Sequence, residues 1–275
     1  MTVAMGRHQH DIRNRWSIVT GPGALPLHIN DVKFQTQAAI DDVGDDFTFT
    51  QHLASAVDEV EKDTDRAMVW RKLQLTLDEW PCEIALPVNP VLSITSIQYV
   101  DTNGDTQTLS TSRYQSDLYD EPARIWSAYG YDWPTVRSDT IKPITVTFTA
   151  GYLAPFTVNT TTNVITVTGY TPVNGDVWRL SASGGDLPAG LQANTDYYVV
   201  SSSGQTCSLS LTAGGSAVDI TDTGTGGLYF LGELPARLKQ AVLVRAAMEL
   251  TERESYKYAD YEQGYRRLVD GGRWH

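Results

Sequence analysis

A long, nearly uncharged stretch with β-type patterning lies between two helical regions, and it constrains the fold more than any other feature of the chain. Residues 156–231 contain six charged side chains in 76 positions, whereas charged residues make up 20% of the whole chain. Short β-type runs recur there at turn-separated intervals, which is typical of a small β-sandwich or barrel. The runs are NVITVTGY, DVWRLSA, DYYVVSS, CSLSLTA and AVDITDTG.

The segments before and after this stretch would join into a continuous strand–turn–helix unit if the stretch were removed. Ile144–Tyr152 (ITVTFTAGY) alternates as a strand does, and a helical pattern begins near Pro235. Without residues 156–231 the chain would run from this strand through a short turn into that helix. Exposed loops accept inserted domains when the ends of the insertion lie close together. We therefore predict a flexible N-terminal arm over 1–28, a core formed by 29–155 with 232–275, and an inserted β domain over 156–231.

Helical patterns precede and follow the β-type stretch. Ile29–Ile40 predicts a short helix with Asn30 as its N-cap. Thr48–Ala67 predicts a second helix, capped by Thr48 or Thr50. Its apolar face has the i, i+3, i+4, i+7 spacing of an amphipathic helix: Leu53, Ala56, Val57, Val60 and Thr64.

The C-terminal region predicts a long helical segment. Pro235 suits the first helical position. The apolar stripe that follows contains Leu238, Val242, Ala246 and Leu250. A second helical piece continues the pattern with Tyr258, Tyr261, Tyr265 and Leu268.

Between the second predicted helix and the β-type stretch, the spacing of apolar residues changes from the helical period of 3.6 to the strand period of 2. KLQLTLDEW alternates through Leu73, Leu75 and Leu77, and Asn103-Gly104 separates two alternating runs, which is a strong hairpin signal. The aromatic segment 113–134 predicts a short strand pair flanked by loops. The fold class is therefore α+β, with two N-terminal helices, a long C-terminal helix, a small antiparallel sheet and the inserted sandwich or barrel.

Charge and composition exclude several classes of protein. The formal net charge is −12, which argues against tight binding to nucleic-acid phosphates but permits a surface along which DNA slides. The chain contains no run of eighteen apolar residues, so no transmembrane helix is predicted. The N-terminal residues also lack the apolar core of a secretory signal. Cys82 and Cys207 show no metal-ligand spacing. We expect free thiols in a reduced compartment, with a single disulfide as the alternative.

No catalytic motif is present. The sequence lacks G-x-S-x-G, H-E-x-x-H and the phosphate-binding G-x-x-x-x-G-K-[ST]. We therefore predict a protein that is not an enzyme and uses no cofactor and no metal. His8 and His10 lack a third metal ligand. The run DTNGDTQ, from Asp101 to Gln107, has its glycine at the fourth position instead of the sixth of a calcium loop, so a hairpin turn is the favoured interpretation.

Several residue runs, taken in their order along the chain, resemble a known family. They are LPVNPVLSITSIQYVDTNG, EPARI, FTAGY and LPARLKQA. In this order they are similar to the head–tail adaptor (connector) proteins of long-tailed bacteriophages, over roughly residues 27–155 and 232–270. The β-type stretch resembles a small module found in phage structural proteins, and the usual adaptor lacks it at this position.

The resemblance implies a structural virion protein located in the neck between capsid and tail, and in the host cytoplasm during assembly. Such adaptors form a ring, typically of about twelve copies, that docks beneath the portal protein. The ring extends the DNA channel, lets double-stranded DNA pass without specific binding, and offers a platform to the next neck, stopper or tail protein. No membrane partner is implied.

The resemblance also implies that Leu234–Trp274 docks on the portal. Tyrosine and arginine are enriched at interface hot spots, and packing within the chain's own subunit is the alternative. The predicted portal or subunit interface comprises Leu238, Val242, Arg245, Tyr258, Tyr261, Tyr265, Arg266, Arg267 and Trp274. A predicted acidic face toward the DNA channel comprises Asp58, Glu61 and Asp65, for which a solvated helix surface is the alternative.

Two other classes of function stay open. The β domain is a candidate binding module for host-surface glycans or receptors on the particle exterior. A carbohydrate-active enzyme with an accessory β module would need a catalytic acid pair in a cleft, and nothing in the short core indicates one. The aromatic residues Trp126, Tyr129, Tyr131 and Trp133 form a candidate sugar platform, with a loop cluster packed on the sheet as the alternative.

Overall fold

The computed structural model describes residues 16–38, 43–251 and 255–270, and for residues 251 and 255–261 it describes the backbone alone. The described chain forms two compact units, one made of residues 16–19 and 72–149 and the other of residues from 20–71 and 150–270. In chain order the elements are β1 (Trp16–Thr20), α1 (Ile29–Thr36), α2 (Asp46–Thr64), β2 (Arg71–Leu77), β3 (Ile84–Ala85), β4 (Val91–Val100), β5 (Thr106–Thr108), β6 (Tyr114–Asp117), β7 (Arg124–Ser127), β8 (Ile144–Ala150), β9 (Ala154–Asn159), β10 (Val164–Val167), β11 (Val177–Trp178), β12 (Leu180–Ser183), β13 (Tyr197–Ser203), β14 (Thr206–Ser210), β15 (Leu228–Leu231), α3 (Ala236–Thr251) and α4 (Ser255–Asp270).

The first unit is built on a five-stranded sheet with the order β1-β2-β8-β4-β5. Leu73, Leu75 and Leu77 of β2 are buried, and β8 buries alternate residues from Ile144 to Ala150. Successive side chains of a strand point to opposite faces, so these residues line one face of the sheet. The period-two prediction for both strands is confirmed.

The predicted hairpin at Asn103-Gly104 is confirmed. β4 and β5 are antiparallel, with Val100 opposite Thr106. Gly104 has φ of +93°, a conformation that residues with a Cβ rarely adopt. The Asp101 carboxylate accepts hydrogen bonds from the backbone N–H groups of Asn103 (2.9 Å) and Asp105 (3.0 Å). The carboxylate thus stabilises the turn itself, which supports the hairpin interpretation of DTNGDTQ over a calcium loop.

A separate three-stranded sheet has the order β3-β7-β6. The antiparallel pairing of β6 with β7 extends from Tyr114 opposite Ser127 to Asp117 opposite Arg124. The strand pair predicted within residues 113–134 is therefore confirmed.

The second unit contains the four helices. α1 ends at Thr36, four residues before the predicted end, and residues 39–42 lie outside the described part. The predicted N-caps are wrong. His28 caps α1, since its Nδ1 accepts the backbone N–H of Asn30 at 3.2 Å. Asp45 precedes α2, and the Thr50 hydroxyl instead donates to the Asp46 carbonyl inside the first turns.

The predicted apolar faces of the helices pack against each other. The predicted face of α2 is buried in full, and Leu238, Val242 and Ala246 of α3 are buried in the same core. Tyr265 and Val269 of α4 complete it. Pro235 lies one residue before α3, where its carbonyl accepts the first helical hydrogen bond from Lys239 N–H at 3.1 Å.

The β-type stretch forms one antiparallel sheet with the order β11-β13-β14-β10-β9-β15-β12. Its two outermost strands, β11 and β12, are separated in sequence by Arg179 alone. The sheet therefore curls until its edges come together, as in a nearly closed barrel. The predicted strand AVDITDTG is wrong. That segment makes isolated bonds, such as Ile220 N–H to Asn163 Oδ1 and Val218 N–H to the Leu209 carbonyl, instead of a ladder. The last strand is β15.

Two further observations bear on the predicted boundaries. Ala154 and Pro155 of β9 pair with Leu231 and Phe230 of β15, so the two ends of the β-type stretch are neighbours. Within the predicted arm 1–28, Trp16–Thr20 forms β1 and Leu27 is buried. Trp16–Thr20 is thus part of a sheet, whereas Leu27 is a buried residue of an irregular segment. Residues 1–15, with His8 and His10, lie outside the described part.

Candidate interface on the C-terminal helices

The three predicted interface residues of α3 lie within the chain's own helical core or at its edge. Leu238 and Val242 are buried in the chain's own helical core. Arg245 lies at its edge, with its side chain 18% exposed, and pairs through Nε with Glu59 Oε2 at 2.5 Å. These three side chains stabilise the packing of α3 on α2, as the alternative interpretation expected.

Tyr265 joins α4 to α2 in the same region. Its ring is buried, its hydroxyl donates to Asp63 Oδ2 at 2.8 Å, and the Arg245 guanidinium lies 5.9 Å from the ring centroid. Burial and the hydrogen bond to Asp63 raise the pKa of Tyr265 above its usual value. The phenol therefore stays neutral and acts as a structural donor.

The exposed part of the predicted interface is basic. Arg266 is 71% exposed and pairs with Glu262 at 2.8 Å, and Arg267 beside it is also exposed. The side chains of Tyr258 and Tyr261 lie outside the described residues, although their backbone is helical, and Trp274 lies outside them altogether. The interface prediction for the described part of α4 therefore depends on the two arginines.

A polar cleft of about 320 Å³ lies between α2, α3 and α4. Its lining combines carboxylates and guanidinium groups, and the ion pairs of Arg245 and Arg266 are part of its walls. The lining residues are Glu59, Asp63, Arg245, Glu262, Tyr265, Arg266, Val269 and Asp270. The Arg245–Glu59 pair joins α3 to α2, whereas the Arg266–Glu262 pair lies within α4.

The three residues of the predicted acidic face have different environments. Asp58 is exposed, and Asp65 is the C-cap of α2 with φ of +54°. Glu61 is turned into the protein, where Oε1 accepts from the Arg71 guanidinium at 2.6 Å and from the backbone N–H of Met68 at 2.7 Å. Glu61 thus ties the end of α2 to the start of β2 and does not contribute to an open acidic surface.

Desolvation dominates the electrostatics of Glu61. Its pKa is raised above the usual value because burial disfavours the charged form, and the nearby Arg71 charge opposes this shift only in part. The pair is nearly buried, with side-chain exposures of 12% for Glu61 and 10% for Arg71. This clamp is a structural feature that the sequence analysis missed, because residues ten apart on different elements carry no periodic signal.

The four aromatic residues of the candidate sugar platform do not form one face. Trp133 stacks on Trp80, with ring planes 4° apart and centroids separated by 4.7 Å. Tyr129 is fully exposed and Tyr131 is 47% exposed. Trp126 lies under the Arg124 guanidinium at 4.7 Å. Trp133 is therefore half-buried against another aromatic ring, and the alternative of a cluster buried against the sheet is wrong for the two tyrosines.

Neither a metal-binding cluster nor a membrane-spanning helix is found among the described residues. Over 16–38, 43–251 and 255–270, no group of three or more His, Cys, Asp or Glu side chains is arranged to hold a metal ion. In the same ranges no helix has both the length and the apolar character needed to cross a bilayer. Cys82 is an exposed free thiol and Cys207 a buried one, so the interpretation as free thiols is confirmed.

The chain was compared with known proteins. No protein-family model matches it, and no curated protein matches it. Several solved structures have a low similarity to half of the chain. A chain from the virion of a native gene transfer agent particle has 22% identity and a TM-score of 0.42, covering 50% of this chain and 71% of that chain. A chain from the neck of an empty particle, computed with C6 symmetry, has 24% identity and a TM-score of 0.41 over the same shares. A chain from the neck of a native particle, computed with C12 symmetry, has 22% identity and a TM-score of 0.39, covering 50% and 69%.

Proposed function

We propose that this chain is a head–tail adaptor, a non-enzymatic subunit of the neck of a phage-like particle. About twelve copies form a ring beneath the portal protein. The ring extends the DNA channel and provides the attachment platform for the next head-completion or tail protein. Its partners are further copies of itself, the portal, a downstream neck protein and the DNA that passes through. The protein is assembled in the host cytoplasm and resides in the virion.

The order of the family-like residue runs carries the proposal, because each run coincides with an element of the fold. LPVNPVLSITSIQYVDTNG leads into β4 and its hairpin, EPARI leads into β7, FTAGY ends β8, and LPARLKQA begins α3. The helix–helix–sheet–helix order that the resemblance implies is therefore present as physical elements. No single run is diagnostic, so the support lies in their sequence along the chain.

The nearly closed barrel is proposed to be an addition to this adaptor core. Its support is the pairing of Ala154 and Pro155 with Leu231 and Phe230, which brings the ends of the β-type stretch together. A hydrogen bond also links the barrel to the start of α1 in the same unit, since the backbone N–H of His28 donates to Ser183 Oγ of β12 at 2.8 Å. These contacts support a barrel that is inserted in sequence and attached to its own unit.

The docking test uses the two exposed arginines of α4. Arg266→Glu combined with Arg267→Glu should weaken binding to purified portal at least tenfold, because interface arginines are frequent hot spots. Arg113→Glu with Lys142→Glu is the control, with the same change in net charge at two exposed positions of the other unit. Binding is measured by sedimentation and imaging of the mixture. Equal binding of both double variants would refute α4 as the docking element, and a wild-type protein that never binds portal would refute the adaptor proposal.

A binding module is the second candidate for the barrel. It is favoured by the pairing of β9 with β15 within the barrel, which brings together the points where the chain enters and leaves this module. A glycan microarray probed with the full-length protein tests it. Reproducible binding that competes with free glycan would support recognition at the particle surface, and an array without signal would remove glycans from consideration.

A further inference from the structure

The five-stranded sheet of the first unit is open at both ends. β1 is its first strand, and β2 is its one neighbour among the strands that the structure describes. At the other end, β5 covers only the last three residues of β4, from Gln98 opposite Thr108 to Val100 opposite Thr106. In the described residues, no strand lies beside residues 91–96 of β4 on that side. Within the described part of the chain, each end of the sheet therefore presents a stretch of backbone that no strand pairs with.

Neither open edge has the features that usually protect an edge strand. Natural proteins blunt such edges with lysine, proline or bulges. β1 reads WSIVT and residues 91–96 read VLSITS, so both are rich in β-branched residues and contain no charge and no proline. Ile18 and Val19 are 50% and 52% exposed, and Ser93 and Thr95 of β4 are exposed as well. Unprotected edges of this kind bind another strand.

We infer that β1 of one copy pairs with residues 91–96 of β4 in the next copy, so that the sheets of neighbouring subunits are joined edge to edge. This inference rests on the proposed ring and names its subunit contact. The lengths agree, since five residues of β1 face six of β4. The two edges lie at opposite ends of one sheet, so the contact is heterologous and repeats from copy to copy until the ring closes.

Pairing between identical copies accounts for the open backbone at both ends of the sheet. An extended peptide from another protein would fill one edge and leave the second exposed. In a closed ring of identical copies each β1 meets residues 91–96 of a β4, so both of these open stretches are paired. Main-chain hydrogen bonds supply the affinity, and Ile18, Val19 and Ile94 contribute β-branched contacts across the pair.

The test is disulfide cross-linking of the full chain in a Cys82→Ser background. Ser17→Cys is combined with Ser93→Cys or, separately, with Thr95→Cys, because the two positions together cover a parallel and an antiparallel pairing. Mild oxidation followed by a non-reducing gel should give a ladder up to the full ring for at least one double variant. Each single cysteine variant should stop at a dimer. Ser17→Cys with Asn103→Cys, at the exposed tip of the hairpin, is the control double variant and should give no ladder.

A second variant tests the same contact without cysteines. Ile18→Lys with Val19→Lys places charges on exposed positions of β1, so the circular dichroism and melting temperature should stay unchanged while the ring is lost. The outcomes separate the two proposals. A ring seen by light scattering or on portal, with no ladder from either double variant, overturns the edge pairing and leaves the adaptor function standing. A ladder from a protein that never binds portal supports the edge pairing and overturns the adaptor function.

Discussion

Trp80 and Trp133 form a reciprocal pair in the first unit. Their rings are stacked at 4.7 Å, Trp80 Nε1 donates to the Pro134 carbonyl at 2.8 Å, and Trp133 Nε1 donates to the Pro81 carbonyl at 3.0 Å. Each indole thus bonds the backbone next to the other. The pair fixes the end of β2 to the long loop that precedes β8, a connection that carries no regular secondary structure of its own.

Removing either indole should therefore destabilise the first unit. Trp133→Ala should lower the free energy of unfolding by about 3 kcal/mol, at the low end for a tryptophan because both rings are partly exposed. Near-ultraviolet circular dichroism should lose the signal of the stacked pair. Tyr129→Ala, at a fully exposed aromatic position in the same loop, should change neither quantity. A Trp133→Ala protein as stable as wild type would show that the pair does not hold this loop.

Glu61 should matter far more than its neighbour Asp58 on the same helix. Glu61→Ala leaves the buried Arg71 guanidinium and the Met68 N–H without their carboxylate, so we expect a loss of about 3–5 kcal/mol of stability. Asp58→Ala, at an exposed position, should stay within about 0.5 kcal/mol of wild type. Urea unfolding measures both. Equal effects would contradict the assignment of Glu61 as a buried clamp.

The raised pKa of Glu61 predicts the sign of a pH effect. A carboxyl group whose pKa is higher in the folded than in the unfolded protein binds its proton more tightly when folded. Its contribution to stability is greatest below the unfolded pKa and falls as pH rises toward the folded pKa. The free energy of unfolding of wild type, relative to Glu61→Gln, should therefore decrease as pH rises from about 4.5 and then level off. An increase over the same interval would show that the Arg71 charge outweighs desolvation.

Alanine variants at two glycines of the second unit would distinguish the stability cost of backbone strain from that of steric crowding. Gly184 and Gly169 have φ of +77° and +78°, but a Cβ on Gly184 would collide with the His28 ring, whereas one on Gly169 would meet open space. Gly169→Ala should cost about 1–2 kcal/mol from the left-handed backbone alone. Gly184→Ala should cost roughly 1–3 kcal/mol more, since the His28 cap of α1 must move. Thermal unfolding of the two variants gives the difference directly, and equal losses would mean that His28 yields without cost.

The two cysteines should react differently with thiol reagents. Burial and the charge of Asp176 raise the pKa of Cys207 to about 11, so at pH 8 its thiol is both inaccessible and protonated. Cys82 is exposed. Iodoacetamide should modify Cys82 alone in the native protein and both residues after denaturation, as mass spectrometry of tryptic peptides would show. Rapid native labelling of Cys207 would contradict the closed packing around β14.

Periodic features of this fold could be predicted from sequence, and non-periodic ones could not. The alternation of Leu73, Leu75 and Leu77 and the apolar face of α2 are repeated signals, and each maps onto one buried face. The Asn103-Gly104 turn was equally clear because Gly104 has a positive φ, a backbone conformation that favours glycine. Helix starts were missed because His28 and Asp45 act through local geometry that several neighbouring polar residues could equally have supplied.

The candidate interface likewise could not be assigned from sequence alone. Arg245, Tyr265 and Arg266 look alike as interface residues in the sequence. Only the packing of α3 and α4 on α2 shows that the first two are used within the chain and that the third is exposed. The open edges of the five-stranded sheet had no sequence signal either, since an edge strand and a central strand of the same composition differ only in their neighbours.

The helical core has a consequence for how the protein is made. Val60 of α2 and Val242 of α3 lie in one core, yet the entire barrel is translated between them. During synthesis on the ribosome, the apolar faces of the first two helices lack their α3 partner until α3 has been translated. During that interval the barrel is already complete, because β15 precedes α3. The nascent chain should therefore present a finished barrel beside an unfinished helical core, and a chaperone that binds apolar surfaces would find its target in α2.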